Sequence, residues 1–370
     1  MRWKNSLAAT VALATVALGG ALATPQTAAA QHDPPTGGAC SADAQFLGFS
    51  DSLDKTTYEG QPVAGLSALA LTRPGHALAL VDNIGTTPAR VFGLEIEARR
   101  GKPEVAVESL TILRRSDGTP YTGADFDGEG LVAERGGRSI LASSEREPSI
   151  RRFGLSDGTE TASLPVPDRF RVAPAGEAAT NATFEALAAS RDGRTLFAGM
   201  EGPLAADGTD ADGRSRNRIL RYEGRPGGDY RVAAQHAYRP DSGLSLVELV
   251  VVDRGELLAL ERGYTPGVGN TIRIFTVSLR HAADVTDRAS LADAPDDVFL
   301  KKRLLCDLVN APPSGAVAKQ PQPNPLLDNV EGMALGGWLP GRGRQLFLIS
   351  DDNGGATQIT RFYSLAVDLS

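Results

Sequence analysis

The chain has 370 residues, 41% of them hydrophobic, with 38 Lys+Arg against 45 Asp+Glu and a formal net charge of −7. That length allows a large core, and the acidic balance disfavours nucleic acid or an anionic membrane surface as partner. Two cysteines do not make a zinc site, and none of the four histidines stands in an H-E-x-x-H motif.

The first residues read as an export signal. Arg2 and Lys4 precede an apolar, small-residue run at Leu7–Ala23, and Ala28-Ala29-Ala30 offers an A-x-A cleavage site. Residues 1–30 are therefore expected to be a signal peptide cut after Ala30; the alternatives are a cut after Ala23 or a retained anchor. Cleavage removes two cations and no acids, taking the net charge from −7 to −9. No later stretch is long and apolar enough to cross a bilayer. Residues 31–42 read as a flexible lead-in, and 43–370 as a single domain. In an exported chain Cys40 and Cys306 default to one disulfide. The expected location is extracellular, and the expected state a monomer.

A strand is predicted over Ala44–Asp51. A hairpin sentence then recurs five times: an acid, a short apolar run, a turn, and a second apolar run ending on an acid. The copies open at Ser67, Glu129, Glu185, Glu248 and Glu331. They close at Asp82, Glu145, Glu201, Glu261 and Asp351. Pro74-Gly75, Arg135–Arg138, Asp192-Gly193, Arg254-Gly255 and Gly341–Gly343 supply the turns. Two further strand-like runs follow each of the first four hairpins: Ala89–Glu97 and Glu104–Leu113, Ile150–Leu155 and Ala162–Val172, Arg218–Tyr222 and Tyr230–Tyr238, Ile272–Val277 and Leu300–Val309. The fifth hairpin is followed by only one, Ile359–Val367. Four strands per unit is how a β-propeller blade reads.

The spare strand Ala44–Asp51 completes the last unit. The fold class is thus all-β, a propeller of five four-stranded blades closed by the N-terminal strand. A sixth blade hidden in 262–330 is the alternative. Ala282–Val298 is a candidate short helix, 202–217 an acidic mobile loop, and Ala311–Leu327 a Pro-rich loop.

The first strand of a propeller blade lines the central channel, so the acidic ends should converge on one mouth. Carboxylates so crowded repel one another unless a hard cation reconciles them, and calcium accepts many oxygen ligands in irregular geometry. Glu129, Glu185, Glu248, Glu331, Asp127 and Asp82 are the candidate metal ligands. Glu145, Glu201, Glu261 and Asp351 are candidates for further ligation or general-base work. Asp125, Asn181, Asn329, Asp352 and Asn353 add oxygens nearby. Arg146 and Arg262 follow Glu145 and Glu261 and match the planar demands of phosphate. Each repeated acid also has a purely structural reading, as an acceptor for a neighbouring blade's amides.

At Asp127-Gly128-Glu129-Gly130-Leu131, Ser144-Glu145-Arg146, Asn181–Ala188, Leu260-Glu261-Arg262-Gly263, Asn329–Met333 and Ser350–Asn353 the chain resembles the phytase-like family, described as "esterase-like activity of phytase". Ser67 departs from the acidic pattern. The resemblance implies an exported propeller that hydrolyses phosphoesters. Together with the acidic repeat it points to a calcium-dependent phosphoesterase acting on a small anionic substrate. The alternatives are a non-catalytic binding propeller clamped by calcium and a metal-dependent lactonase or carboxylic esterase.

Overall fold

The computed structural model describes residues 40–82, 85–99, 102–253 and 255–369. The expected signal peptide, its cleavage site and residues 31–39 of the lead-in lie outside these.

Five four-stranded antiparallel sheets form the five blades of a β-propeller. Blade I comprises Leu66–Arg73, His76–Val81, Arg90–Arg99 and Lys102–Ile112. Blade II comprises Gly128–Ala133, Ser139–Ser144, Ser149–Gly154 and Glu160–Ser163. Blade III comprises Phe184–Ala189, Thr195–Met200, Asn217–Gly224 and Tyr230–Tyr238. Blade IV comprises Ser245–Asp253, Glu256–Thr265, Gly269–Ser278 and Lys301–Asp307. Blade V takes Val330–Leu339, Gly343–Ser350 and Phe362–Val367, then Ala44–Ser50 from the other end of the chain. The first strand of each blade packs against the first strand of the next, and blade V returns to blade I. The segment proposed for a sixth blade instead completes blade IV and then runs as loop.

Alternation sends successive side chains of a strand into the gaps on either side of its blade. Each gap therefore fills with its own core. Leu80 and Leu131 meet between blades I and II, and Leu141 and Met200 between II and III. Phe197 and Leu257 meet between III and IV, Leu260 and Leu348 between IV and V, and Ile349 and Leu69 between V and I. Burying each such side chain contributes about 1.5–3 kcal/mol.

Ring closure joins the chain's two ends. Ala44–Ser50 pairs antiparallel with Phe362–Val367. Fully buried Arg361 donates to Asp51 at 2.7 and 2.9 Å, and Cys40 is bonded to Cys306. Closure removes open sheet edges, the aggregation-prone feature of a sheet.

Three expectations fail locally. The strand expected over Ala162–Val172 stops at Ser163, because Pro165 and Pro167 cannot serve a ladder. Ala282–Val298 holds only a 3₁₀ turn at Asp296–Val298. Loop 202–217 is pinned: buried Asp207 accepts from Arg218 at 2.7 and 3.0 Å and from the Leu291 N–H at 2.8 Å. Among the described residues no helix is long and apolar enough to cross a membrane.

Candidate functional site

Every inner strand breaks step with its partner near its start. Leu66, Gly128, Phe184, Leu246 and Val330 pair with Val81, Ser144, Met200, Glu261 and Ser350, after which the register shifts. The residue thrown out by the shift is Ser67, Glu129, Glu185, Val247 or Glu331. A bulge bends the strand and re-aims that side chain. The residue just past the paired partner is Asp82, Glu145, Glu201, Arg262 or Asp351. Seven of these ten positions line one cavity of about 420 Å³, namely Asp82, Glu129, Glu145, Glu185, Glu201 and Glu331 with Arg262 among them; Ser67, Val247 and Asp351 are buried and do not line it.

Blade IV is one residue out of step with the sequence pattern. Glu248 and Glu261 look equivalent to the other acids, but Val247 and Arg262 hold the structural positions. A one-residue slip in a strand turns every side chain to the other face. Glu248 thus leaves the acidic cavity. Its carboxylate accepts the N–H of Leu249 at 2.8 Å and of Leu187 at 3.4 Å, on the wall of a second, apolar cavity. Glu261 accepts from Tyr238 Oη of blade III, from the Asp241 N–H of the loop that follows it, and from Lys302 Nζ of its own blade. The slip delivers a cation in their place. Arg262 Nη2 lies 3.1 Å from Glu331, 3.8 Å from Glu201 and 4.0 Å from Glu185.

Two carboxylate triads share one member. Oxygens of Asp82, Asp127 and Glu129 lie within 4.8 Å of one another, and so do those of Glu129, Glu145 and Glu185. Short polar contacts hold several acids in place. Ser67 Oγ donates to Glu129 at 2.6 Å, the Thr183 N–H to Glu145 at 3.0 Å, and Asn329 Nδ2 to Glu331 at 2.9 Å. Ser67 keeps a role in blade I as the donor that orients Glu129.

Arg146, Asp125 and Asp352 fall outside the cavity. Arg146 is exposed in the turn after the second strand of blade II and does not line it. Asp125 pairs with Arg115 at the surface. Asp352 is buried but committed to Lys55 and to the N–H groups of Gly65 and Gly354. Asn181, Asn329 and Asn353 do line the cavity, joined by Asn270, Tyr264, Gln320 and Gln358, which the repeat did not reveal. Asn270 and Tyr264 come from a blade IV hairpin that reaches beyond the repeat, and Gln320 from the Pro-rich loop.

Burial and mutual repulsion disturb the acids together. Asp82 is pushed up to about 10, first by burial, then by a hydrogen bond to Asp127 and the charge of Asp351. Glu129 and Glu185 are driven well above the carboxylate range by burial and then by neighbouring glutamates. Burial also raises Glu201, with Arg262 opposing. Glu145 reaches about 7: burial and the charges of Glu201 and Asp127 raise it, against the Thr183 N–H. Asp351, held high by burial and Glu331, has Oδ2 buried without a hydrogen-bond partner among the described residues. The Asn270 amide is buried and unpartnered at both ends. Orphaned polar atoms of this kind are rare and call for a missing partner.

The family model "Phytase-like: Esterase-like activity of phytase" matches residues 61–354. No curated protein matches the sequence. Among solved structures, the periplasmic gluconolactonase PpgL of Pseudomonas aeruginosa aligns at 14% identity and a TM-score of 0.35, covering 84% of this chain and 87% of that one. A PQQ-bound aldose sugar dehydrogenase from Streptomyces coelicolor aligns at 13% and 0.37, covering 89% and 100%. A carbohydrate-active enzyme of family AA12 from Trichoderma reesei aligns at 10% and 0.41, covering 91% and 100%. Scores this low carry nothing about chemistry.

Proposed function

The chain belongs to the phytase-like family, and from that premise we propose that it is a cation-dependent ester hydrolase working at the acidic mouth of its propeller, with small phosphoesters as the first substrate class. The observation that carries this reading is the pair of triads sharing Glu129, with Arg262 set among the remaining acids.

The residues fit a hard divalent cation. All the donors are oxygens. Calcium ligands lie about 2.3–2.6 Å from the ion, so opposite donors stand about 5 Å apart, the span of each triad. The unpartnered Asn270 amide gives the cavity spare polar capacity. Asp82, Asp127, Glu129, Glu145 and Glu185 would hold calcium. Bound there, the ion would neutralise developing charge on the ester and lower the pKa of a water.

The chain's own groups do the rest. Glu201, which lines the same cavity but belongs to neither triad, is the carboxylate left to take a proton from water. Arg262 offers a planar guanidinium to an anionic oxygen while holding Glu331 and Glu201 in place. Tyr264, 51% exposed at the rim, presents a ring face to the organic part of a substrate. We further propose export, which the Cys40–Cys306 disulfide supports because such bonds persist in oxidising compartments.

The test is turnover of p-nitrophenyl phosphate, phytate and a small lactone by the purified protein, with calcium and with a chelator. Calcium-dependent phosphoester turnover that is lost in Glu129→Gln supports the proposal. Lactone turnover alone would move the substrate to carboxylic esters. A chelator that lowers the melting temperature of a protein with no turnover would leave a calcium-clamped binding propeller.

A further inference from the structure

A second cavity of about 520 Å³ opens at the other end of the same five inner strands, where the hairpin turns lie. Two residues beyond each bulge position stand Leu69, Leu131, Leu187, Leu249 and Met333, one from each blade. They are 2, 3, 2, 1 and 1% exposed. This aliphatic ring forms the floor of the second cavity and sets it apart from the acids, and the two cavities share no lining residue. The walls above are again apolar, apart from Glu248, whose carboxyl is tied to two backbone N–H groups.

The rim has the opposite character. Arg191, from the blade III turn, and Arg344, from the blade V hairpin, line the opening. The charge of Arg191 acts on Arg344. Neither makes an ion pair with a carboxylate among the described residues, and Arg344 spends Nε on the Gly336 carbonyl at 2.8 Å. Trp338, 73% exposed, stands beside Arg344 with its ring centroid 5.9 Å from the guanidinium carbon. In a chain of formal net charge −7, two unpaired arginines over an aliphatic pit select for charge as well as greasiness.

We propose that this cavity is a second binding site, for a small amphipathic monoanion: an alkyl body in the aliphatic pit and a carboxylate head between Arg191 and Arg344. Trp338 covers the junction between the two. The site stands independently of the hydrolase reading.

Calorimetric titration of the full chain with octanoate and with 1-octanol tests it, with tryptophan emission as a second readout. Saturable octanoate binding about tenfold tighter than that of octanol is expected. The double variant Arg191→Gln, Arg344→Gln should abolish that difference and keep octanol binding. Both substitutions are at the rim, outside the core. Glu331→Gln, in the acidic cavity, should bind octanoate as the parent does. Absence of saturation with octanoate, equal affinity for acid and alcohol, or loss of octanoate binding in Glu331→Gln would each overturn the proposal.

Discussion

Replacing Arg262 by Met removes the one cation that lines the cavity among the described residues and keeps an unbranched, uncharged side chain in its place. Its Nη2 sits 3.1 Å from Glu331, with Glu201 at 3.8 Å and Glu185 at 4.0 Å. One such contact at 3.1 Å is worth about 5 kcal/mol of Coulomb energy at an effective dielectric of 20, before desolvation takes back most of it. Removing one partner of a buried pair typically costs about 3–5 kcal/mol, because the other charge is left stranded. At about 2 °C per kcal/mol for a chain of this size, the chelator-treated variant should melt about 6–10 °C below the parent. Calcium at a hundred times its dissociation constant stabilises either protein by about 2.7 kcal/mol, and because the acids freed of Arg262 should bind it more tightly, the variant should gain more than the parent and the gap should narrow by about 1.4 kcal/mol per tenfold difference in affinity. Circular-dichroism melts with chelator and with calcium read both quantities. An unshifted melt, or an equal drop in calcium and in chelator, would refute the idea that Arg262 and a bound cation share one job.

Glu248→Gln should leave calcium binding and turnover unchanged, whereas Glu129→Gln should abolish both; calorimetry and the phosphoester assay separate them. The metal-free protein should lose stability as pH rises. Glu145 is raised to about 7 when folded and sits near 4.5 when unfolded, so between about pH 4.5 and 7 the native state holds the extra proton and stability falls with pH. Melts taken across that window without calcium should decline, and added calcium should flatten them. Cys306→Ser opens the bond that spans 266 residues beside the ring closure and should cost about 2–5 kcal/mol in urea melts, without altering turnover at 25 °C.

The blades were legible because each hairpin carries its own punctuation. Asp192-Gly193 and Pro74-Gly75 mark turns by residue type, and both glycines adopt positive φ, +69° and +77°. The shortfall of one strand after Glu331, with a spare at Ala44, gave the closure. The gathering of Asp82, Glu129, Glu145, Glu185, Glu201 and Glu331 around one cavity was legible for the same reason: the bulge and the acid fall at equal register. Blade IV misled because Leu260-Glu261-Arg262 reads like Ser144-Glu145-Arg146, while a bulge leaves no fixed signature in a sequence. One clue was present in the spacing. Glu129 to Glu145 and Glu185 to Glu201 are 16 residues, and Ser67 to Asp82 is 15, but Glu248 to Glu261 is only 13. Moving each end outward by one residue, to Val247 and Arg262, restores 15. Asn270 and Gln320 were out of reach, since they arrive from an extended hairpin and a Pro-rich loop whose paths depend on tertiary packing.

Calcium titration of the chelator-treated full chain at pH 7, run in two buffers of different ionisation enthalpy, is the most direct measurement. Saturable binding with protons released to the buffer is expected, because Asp82, pushed up to about 10, must surrender its proton, and Glu129→Gln should erase the signal. Calcium that fails to bind the folded protein, or that binds Glu129→Gln as well as the parent, would contradict a shared cation site at the acidic mouth.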